Sequence, residues 1–374
     1  MSVDPDDFYD ELVERKVDLF TGVPDSLLKN LCACIADRAP GNRHVVAANE
    51  GNAVAVACGY HLATGRYGGV YLQNSGLGNA VNPLLSLADE DVYSIPLLMI
   101  VGWRGEPGVH DEPQHVKQGK ATLSLLETMG VEYEVLDVRD WRGQVERAVD
   151  FLKRESRPFA LVVRKDTFAC HPFTPENNGL PMTREDALEA IVERIPEDAF
   201  VVSSTGKTSR ELFEIRERRG EGHEHDFLTV GSMGHTSSIA LGMSLGIDAD
   251  VWCIDGDGSL FMHLGAALTA AGKGERNLKY VINVNGAHES VGGQPTTGLG
   301  VDVTNLLRSC GFGLVEEART KEKLIDGIAR LVNSQKPSAL VVYTRQGSRA
   351  DLGRPTVSPQ ANKELLMKAM PIEV

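Results

Sequence analysis

The chain has 374 residues, enough for two ordinary domains, and its 42% hydrophobic and 24% charged content is that of a globular protein. A formal charge of −14 with no Lys/Arg-rich block argues against nonspecific nucleic-acid binding and obliges any anionic substrate to use a local basic pocket. No run reaches about 18 apolar residues, so no membrane span is predicted. The six scattered cysteines have no zinc-finger spacing and read as buried free thiols of a reducing compartment.

The acidic start, MSVDPDDFYDELVERK, lacks the apolar core of a secretory leader and points to the cytoplasm. VDLFTGVP then predicts a strand and turn, and DSLLKNLCACIADR a helix with Asp25 or Ser26 as its cap. HVVAAN is a strand, EGNAVAVACGYHLATG a helix and GGVYLQNSG a strand. NAVNPLLSLADEDVY is a helix, PLLMIVGWRG a strand and ATLSLLETMG a helix, before VEYEVLD, WRGQVERAVDFLKRE and PFALVVRKD continue the alternation. Short apolar runs between helical patterns predict a parallel sheet covered on both faces.

CHPFTPENNGLPMT, residues 170–183, breaks the rhythm and reads as a linker between domains of 1–169 and 184–374. The second half repeats the grammar: REDALEAIVERIP helix, DAFVVSST strand, TSRELFEIRERR helix, DFLTV strand, SSIALGMSLGI helix and VWCID strand. SLFMHLGAALTAAGK helix, LKYVINV strand, KEKLIDGIARLVNS helix and SALVVYT strand complete it. The fold class is α/β, two open parallel-sheet domains in series without a middle domain.

One stretch demands chemistry. In IDGDGSLF an apolar strand runs into two acids and two glycines. Glycines at a strand-to-helix turn let backbone N–H groups approach a phosphate, yet the Asp257 carboxylate repels one unless a cation lies between. Asp257 and Asn285 end two strands of one strand–helix–strand unit, so both fall on the carboxyl edge of the sheet. With the carbonyl of Ala287 they make a hard oxygen set suited to Mg²⁺ and phosphate. A glycine-rich turn with a capping acid would explain GDGS alone, but not its pairing with Asn285.

The stretch GDGSLFMHLGAALTAAGKGERNLKYVINVNGAHES resembles the signature of the thiamine diphosphate-dependent 2-oxo acid decarboxylases, with Val284 where the family has the first of two asparagines. Glu50, Ala53, Ala57, Gly59, Tyr60, Thr64 and Gly65 match a second pattern of that family, and VGSMGHTSSIALGMSLG a third. The resemblance implies that 1–169 is the pyrimidine-binding domain and 184–374 the diphosphate and Mg²⁺ domain. It makes Glu50 the acid that shares a proton with the cofactor's aminopyrimidine, a task that burial assists by raising a carboxyl pKa. Met233 fills the space between the cofactor's rings, and Gly206, Ser232, Gly256, Gly258, Ser259 and His288 join the cofactor contacts. Active sites shared between subunits follow, hence at least a dimer. A lone helix-start Glu or core Met would otherwise be structural.

TGVPDSLLK, GWRGEPGVHDEPQHVKQGK, TGKTSRELFE, GSMGHTSSIALG and NGAHESVGGQPTTG resemble the branch of that family acting on 3-phosphonopyruvate, with the sulfopyruvate branch as near relatives. The implied reaction is decarboxylation to phosphonoacetaldehyde and CO₂, in phosphonate biosynthesis. A phosphonate needs cationic or N–H donors, and Arg104, Lys207 and Arg210 are the candidates, each equally explicable as a solvated surface charge. Asp25 is a candidate to relay protons or orient the oxo acid, or a plain helix cap. His110 and His115 are candidate proton donors on a mobile loop; Pro113 between them disfavours a zinc reading. Ser75, Gly76 and Leu77, in the NSGLGN turn, are expected beside the reacting carbon. Three alternatives stand: another 2-oxo acid such as sulfopyruvate, a noncatalytic thiamine diphosphate-binding subunit, and an unrelated nucleotide-binding α/β protein.

Overall fold

The computed structural model describes residues 2–174 and 177–371. Residues 175 and 176 of the expected linker lie outside the described residues. The chain forms two compact units, Met1–Pro175 with Val291–Gln294, and Glu176–Ser290 with Pro295–Val374.

The first unit holds strands β1 (Val17–Gly22), β2 (His44–Val46), β3 (Tyr67–Gln73), β4 (Leu98–Gly102), β5 (Glu132–Val135) and β6 (Phe159–Val163). They form one sheet in the order β2-β1-β3-β4-β6-β5, with every pairing parallel. The second unit holds β7 (Phe200–Ser203), β8 (Asp226–Leu228), β9 (Val251–Gly256), β10 (Leu278–Val284), β11 (Leu314–Ala318) and β12 (Ser338–Tyr343). Their order, β8-β7-β9-β10-β12-β11, repeats the topology of the first sheet, again all parallel.

Strand geometry divides the core. On β4, Leu98 and Ile100 face one hydrophobic cluster with Phe8, Leu31 and Leu161, while Met99 and Val101 face the other with Val54, Leu72 and Val162. The period of two sends successive side chains to opposite faces, and helices cover both, so the run is apolar throughout. In the second unit Trp252 and Ile254 face one cluster and Val251 and Cys253 the other.

Several elements depart from expectation. The first helix of the chain, Pro5–Glu14, was not read from the sequence; Asp4 caps it and Pro5 opens it. The helix after β1 starts only at Lys29, because the Asp25 carboxylate accepts from the Leu27 N–H in a local turn rather than capping. The NAVNPLLSLA helix changes to a wider turn at Leu84–Ala88, next to Pro83, which lacks an N–H. The helix expected from Ala121 begins at Pro113. His263, at φ −134° and ψ 56°, splits the helix after β9 into Asp257–Met262 and Gly265–Lys273. Strand β11 was missed: it is an edge strand carrying Glu316 and Glu317, without a continuous apolar run. Cys32, Cys34, Cys58 and Cys253 are buried as expected, whereas Cys170 is exposed.

Candidate active site

In a sheet of this order the strand order reverses between the first and third strands, and ligands bind outside the carboxyl ends there. In the first unit that edge carries Asp25 after β1, Glu50 after β2, Asn74 after β3 and Arg104 after β4. In the second it carries Gly206 after β7, Met233 after β8, Asp257 after β9 and Asn285 after β10.

Glu50 opens the helix Glu50–Thr64, whose cap Asn49 accepts from the Gly51 N–H at 2.8 Å. Ala53, Val54, Ala57 and Cys58 bury that helix against the sheet, and Glu50 is only 5% exposed. Its Oε2 accepts from Asn79 Nδ2 at 2.7 Å, and burial raises its pKa. Gly76 makes room for it: a Cβ there would lie 2.5 Å from Glu50 Cδ. The NSGLGN turn therefore shapes the Glu50 pocket. Ser75 is exposed and accepts from Gln73 Nε2, while Leu77 is buried in the core and gives its N–H to the Asn74 carbonyl.

Asp25 is fully buried, and desolvation pushes its carboxyl up to about 6. Its Oδ2 accepts from Leu27 N–H at 3.0 Å, and its Oδ1 has no hydrogen-bond partner among the described residues. The Arg104 guanidinium, which lowers that pKa in part, donates to Ser26 Oγ at 2.7 Å and doubly to Asp111 at 2.8 and 2.5 Å. Asp111 also accepts from the Gly105 and Glu112 N–H groups, so one carboxylate closes the loop from 104 to 112. Burial opposes it, yet these bonds hold Asp111 well below the usual carboxylate range. Asn74 locks the same loop, donating to the Arg104 carbonyl and to Thr122 Oγ1 at 2.8 Å each. Ser26, Trp103, Arg104, His110, Asp111 and Lys165 line a cavity of about 210 Å³. His110 is exposed there, and His115 is buried in the first turn of the following helix.

Asp257 begins the helix after β9. Gly256 pairs with Asn283 in the ladder, which brings Asp257 and Asn285 to the same edge. Asp257 is 3% exposed and burial pushes it up to about 6. Its donors are neutral: the Gly258 N–H at 2.9 Å, the Gly286 N–H at 3.0 Å and the Thr296 hydroxyl at 2.5 Å. Gly298 leaves space beside it, since a Cβ there would stand 2.9 Å from Asp257 Cγ. A buried carboxylate with neutral donors is costly unless a cation joins it. Asn285 is buried, its Oδ1 accepting from Ala287 N–H at 3.0 Å. These residues fit a hard cation such as Mg²⁺ with Asp257, Asn285 and the Ala287 carbonyl as oxygen donors.

Met233 and His288 converge on Gly258, where a Cβ would meet Met233 Cε at 3.2 Å and His288 Cε1 at 3.0 Å. Ser259 is buried and accepts from the Gly234 N–H at 3.0 Å. Ser232 is exposed, with φ 54°. Gly206 precedes the helix Lys207–Arg219 at φ 93°. Two expected anion-binding residues are engaged elsewhere. Lys207 Nζ lies 3.6 Å from Glu289, and Arg210 donates to the backbone carbonyls of Leu352 and Gly353. Asn79, Asp111, Thr296, Gly298 and Glu289 were missed as site residues. All five stand in strings singled out above, but nothing in their spacing marks the groups they serve.

Residues 5–125 match the family model described as thiamine pyrophosphate enzyme, N-terminal TPP binding domain, and residues 204–342 the corresponding C-terminal TPP binding domain. A phosphonopyruvate decarboxylase of Streptomyces hygroscopicus is 36% identical over 358 residues, covering 90% of this chain and 86% of that protein. One of Streptomyces viridochromogenes is 34% identical, covering 90% and 87%. A sulfopyruvate decarboxylase of Methanosarcina acetivorans is 28% identical, covering 96% of both. The chain belongs to the thiamine pyrophosphate (thiamine diphosphate) enzymes and, within them, to the phosphonopyruvate decarboxylase family of carboxy-lyases.

Proposed function

We propose that this chain, with thiamine diphosphate and Mg²⁺, decarboxylates 3-phosphonopyruvate to phosphonoacetaldehyde and CO₂. The observation that carries the cofactor reading is Asp257: a buried carboxylate on the carboxyl edge, beside Asn285, with neutral donors. A Mg²⁺ held by Asp257, Asn285 and the Ala287 carbonyl would answer that unbalanced charge and would supply a site for phosphate oxygens. When bound, thiamine diphosphate supplies an electron sink for the pair left as CO₂ departs.

The chain's own residues hold and protect that chemistry. Glu50 would hold a proton toward the cofactor's pyrimidine; its buried setting favours the protonated form, and Asn79 fixes its direction. Asp25, at a pKa of about 6, exchanges a proton near neutral pH. Met233 and His288, converging on Gly258, would hold the cofactor, with Gly206, Ser232, Gly256 and Ser259 as further candidates to bind it. Arg104, with Lys165 and His110 around the same cavity, is the cation offered to the phosphonate. Lys207 and Arg210 have lower claims, because neither lines that cavity.

Self-association with shared active sites is part of the same reading. Leu62 and Tyr93 in the first unit are 71% and 69% exposed, and Leu245 and Leu268 in the second 59% and 55%. Among the described residues no helix is long and apolar enough to cross a membrane, and free thiols persist in the reducing cytoplasm proposed here.

The test is product formation by purified chain, stripped of cofactor and resupplied with thiamine diphosphate and Mg²⁺. Phosphonopyruvate and sulfopyruvate are offered at matched concentrations. Cofactor-dependent phosphonoacetaldehyde at much higher kcat/KM supports the proposal. Preference for sulfopyruvate overturns the substrate, and inertness toward both overturns the activity.

A further inference from the structure

The amide of Asn285 has two ends of nearly equal shape, and only the oxygen can ligate a cation. Something must hold it the right way round. Asn285 Nδ2 donates to Glu289 Oε2 at 2.9 Å. A carboxylate can only accept, so it binds the nitrogen and turns the oxygen to the opposite side, where that oxygen meets the Ala287 N–H. Glu289 is itself anchored, by Arg184 Nη1 at 2.6 Å and by Lys207 Nζ at 3.6 Å. Arg184, 5% exposed, is fixed in turn by two hydrogen bonds that it donates to Glu211, at 2.7 Å each.

Two cations thus face two carboxylates, and the group is balanced without Asp257. The backbone is held as well: Asn178 Nδ2 donates to the carbonyls of Asn285 at 3.1 Å and Thr344 at 3.0 Å. Neither the peptide nor the side chain of Asn285 can then turn freely.

We propose that Glu289 is a positioning residue of the metal site, setting which end of the Asn285 amide faces the cation, with Arg184 and Lys207 holding it for that purpose. The inference rests on the cofactor reading above and adds a residue that reading does not contain. It also gives Lys207 a task away from the substrate.

The experiment uses the full-length chain with saturating thiamine diphosphate and Mn²⁺ as the probe, bound metal being followed by electron paramagnetic resonance. Glu289→Met fills the same volume without an acceptor, whereas Glu289→Gln retains one. The Met variant should lose about 10–100-fold in Mn²⁺ affinity, as supporting groups around ligands typically do, while the Gln variant stays within about threefold. Asn285→Asp supplies a ligand with no wrong end, so in that background Glu289→Met should cost nothing. Thermal unfolding confirms that each variant is folded; if the Met variant is not, Glu289→Ala is read against the same pair.

Affinity of the Met or Ala variant within about twofold of the parent overturns the proposal. So does an equal loss in the Gln and Met variants, or a loss that persists with Asp at 285. Failure of the parent chain to take up Mn²⁺ with the cofactor is a different result, and would overturn the cofactor reading itself.

Discussion

Gly76→Ala isolates the role of the Glu50 pocket. The glycine has φ −76° and ψ −10°, a conformation alanine adopts without strain, so only space is at issue. The new methyl would lie 2.5 Å from Glu50 Cδ and 2.6 Å from Glu50 Cγ. Ordinary carbon contacts begin near roughly 3.5 Å, so the carboxyl must retreat by about 1 Å. It cannot do so while keeping the 2.7 Å bond from Asn79.

A displacement of about 1 Å in a catalytic group costs on the order of 100-fold in rate, which is about 2.7 kcal/mol of barrier. Crowding a packed site should also lower stability by roughly 1–3 kcal/mol. The assay is CO₂ release from phosphonopyruvate by folded variant with cofactor and Mg²⁺, beside Mn²⁺ binding at the Asp257 site. Turnover should fall about 100-fold with Mn²⁺ affinity unchanged. A folded variant with turnover within about threefold of the parent would refute the reasoning, since Glu50 would then not depend on its position.

Glu50→Gln should retain Mn²⁺ and thiamine diphosphate, measured by calorimetry, yet lose most turnover; near-normal turnover would sink the assignment of Glu50. Asp25→Asn tests the buried acid by pH. Its folded pKa of about 6 lies above the unfolded 3.8, so the native state binds the proton more tightly and loses that advantage as pH rises through about 6. The stability gained by the Asn variant should therefore grow by roughly 1.4 kcal/mol between about pH 5 and 7.5 in urea unfolding, and a pH-independent difference would contradict the shift. Asp111→Ala removes the four bonds that close the loop from 104 to 112. Easier opening by about 2 kcal/mol should speed proteolytic nicking at 105–110 roughly 30-fold, whereas an unchanged digestion rate would show that the loop holds without it.

Much of the fold was legible because it rests on local periodicity. The runs LMIVG and VWCI are apolar because strands buried on both faces place successive side chains in one core or the other, and the same reason hid β11, whose edge position admits Glu316 and Glu317. The start of the Asp25 helix was misread because a carboxylate two residues before a free N–H looks the same in sequence whether it caps a helix or closes a turn.

At the candidate site the division is sharper. Parallel connection alone carries Asp257 and Asn285 to one edge, so their neighbourhood could be argued from two strands and the helix between them. What surrounds them could not. Glu50 takes its hydrogen bond from Asn79, Arg104 is claimed by Asp111 and Ser26, Asp257 by Thr296, and Arg210 by carbonyls more than a hundred residues away. A charge read in sequence is only a charge; whether it is free for a substrate depends on which partner the fold brings against it.

By itself the sequence determined the alternation of strands and helices, the two carboxylates at strand ends and the family they belong to. These depend on residues near one another in the chain. Only the tertiary structure decided which polar groups are engaged, which are desolvated and which way the Asn285 amide is turned. Hydrogen bonds and burial are set by proximity in space, and groups as remote as Arg184 and Glu289 share no period or spacing along the chain.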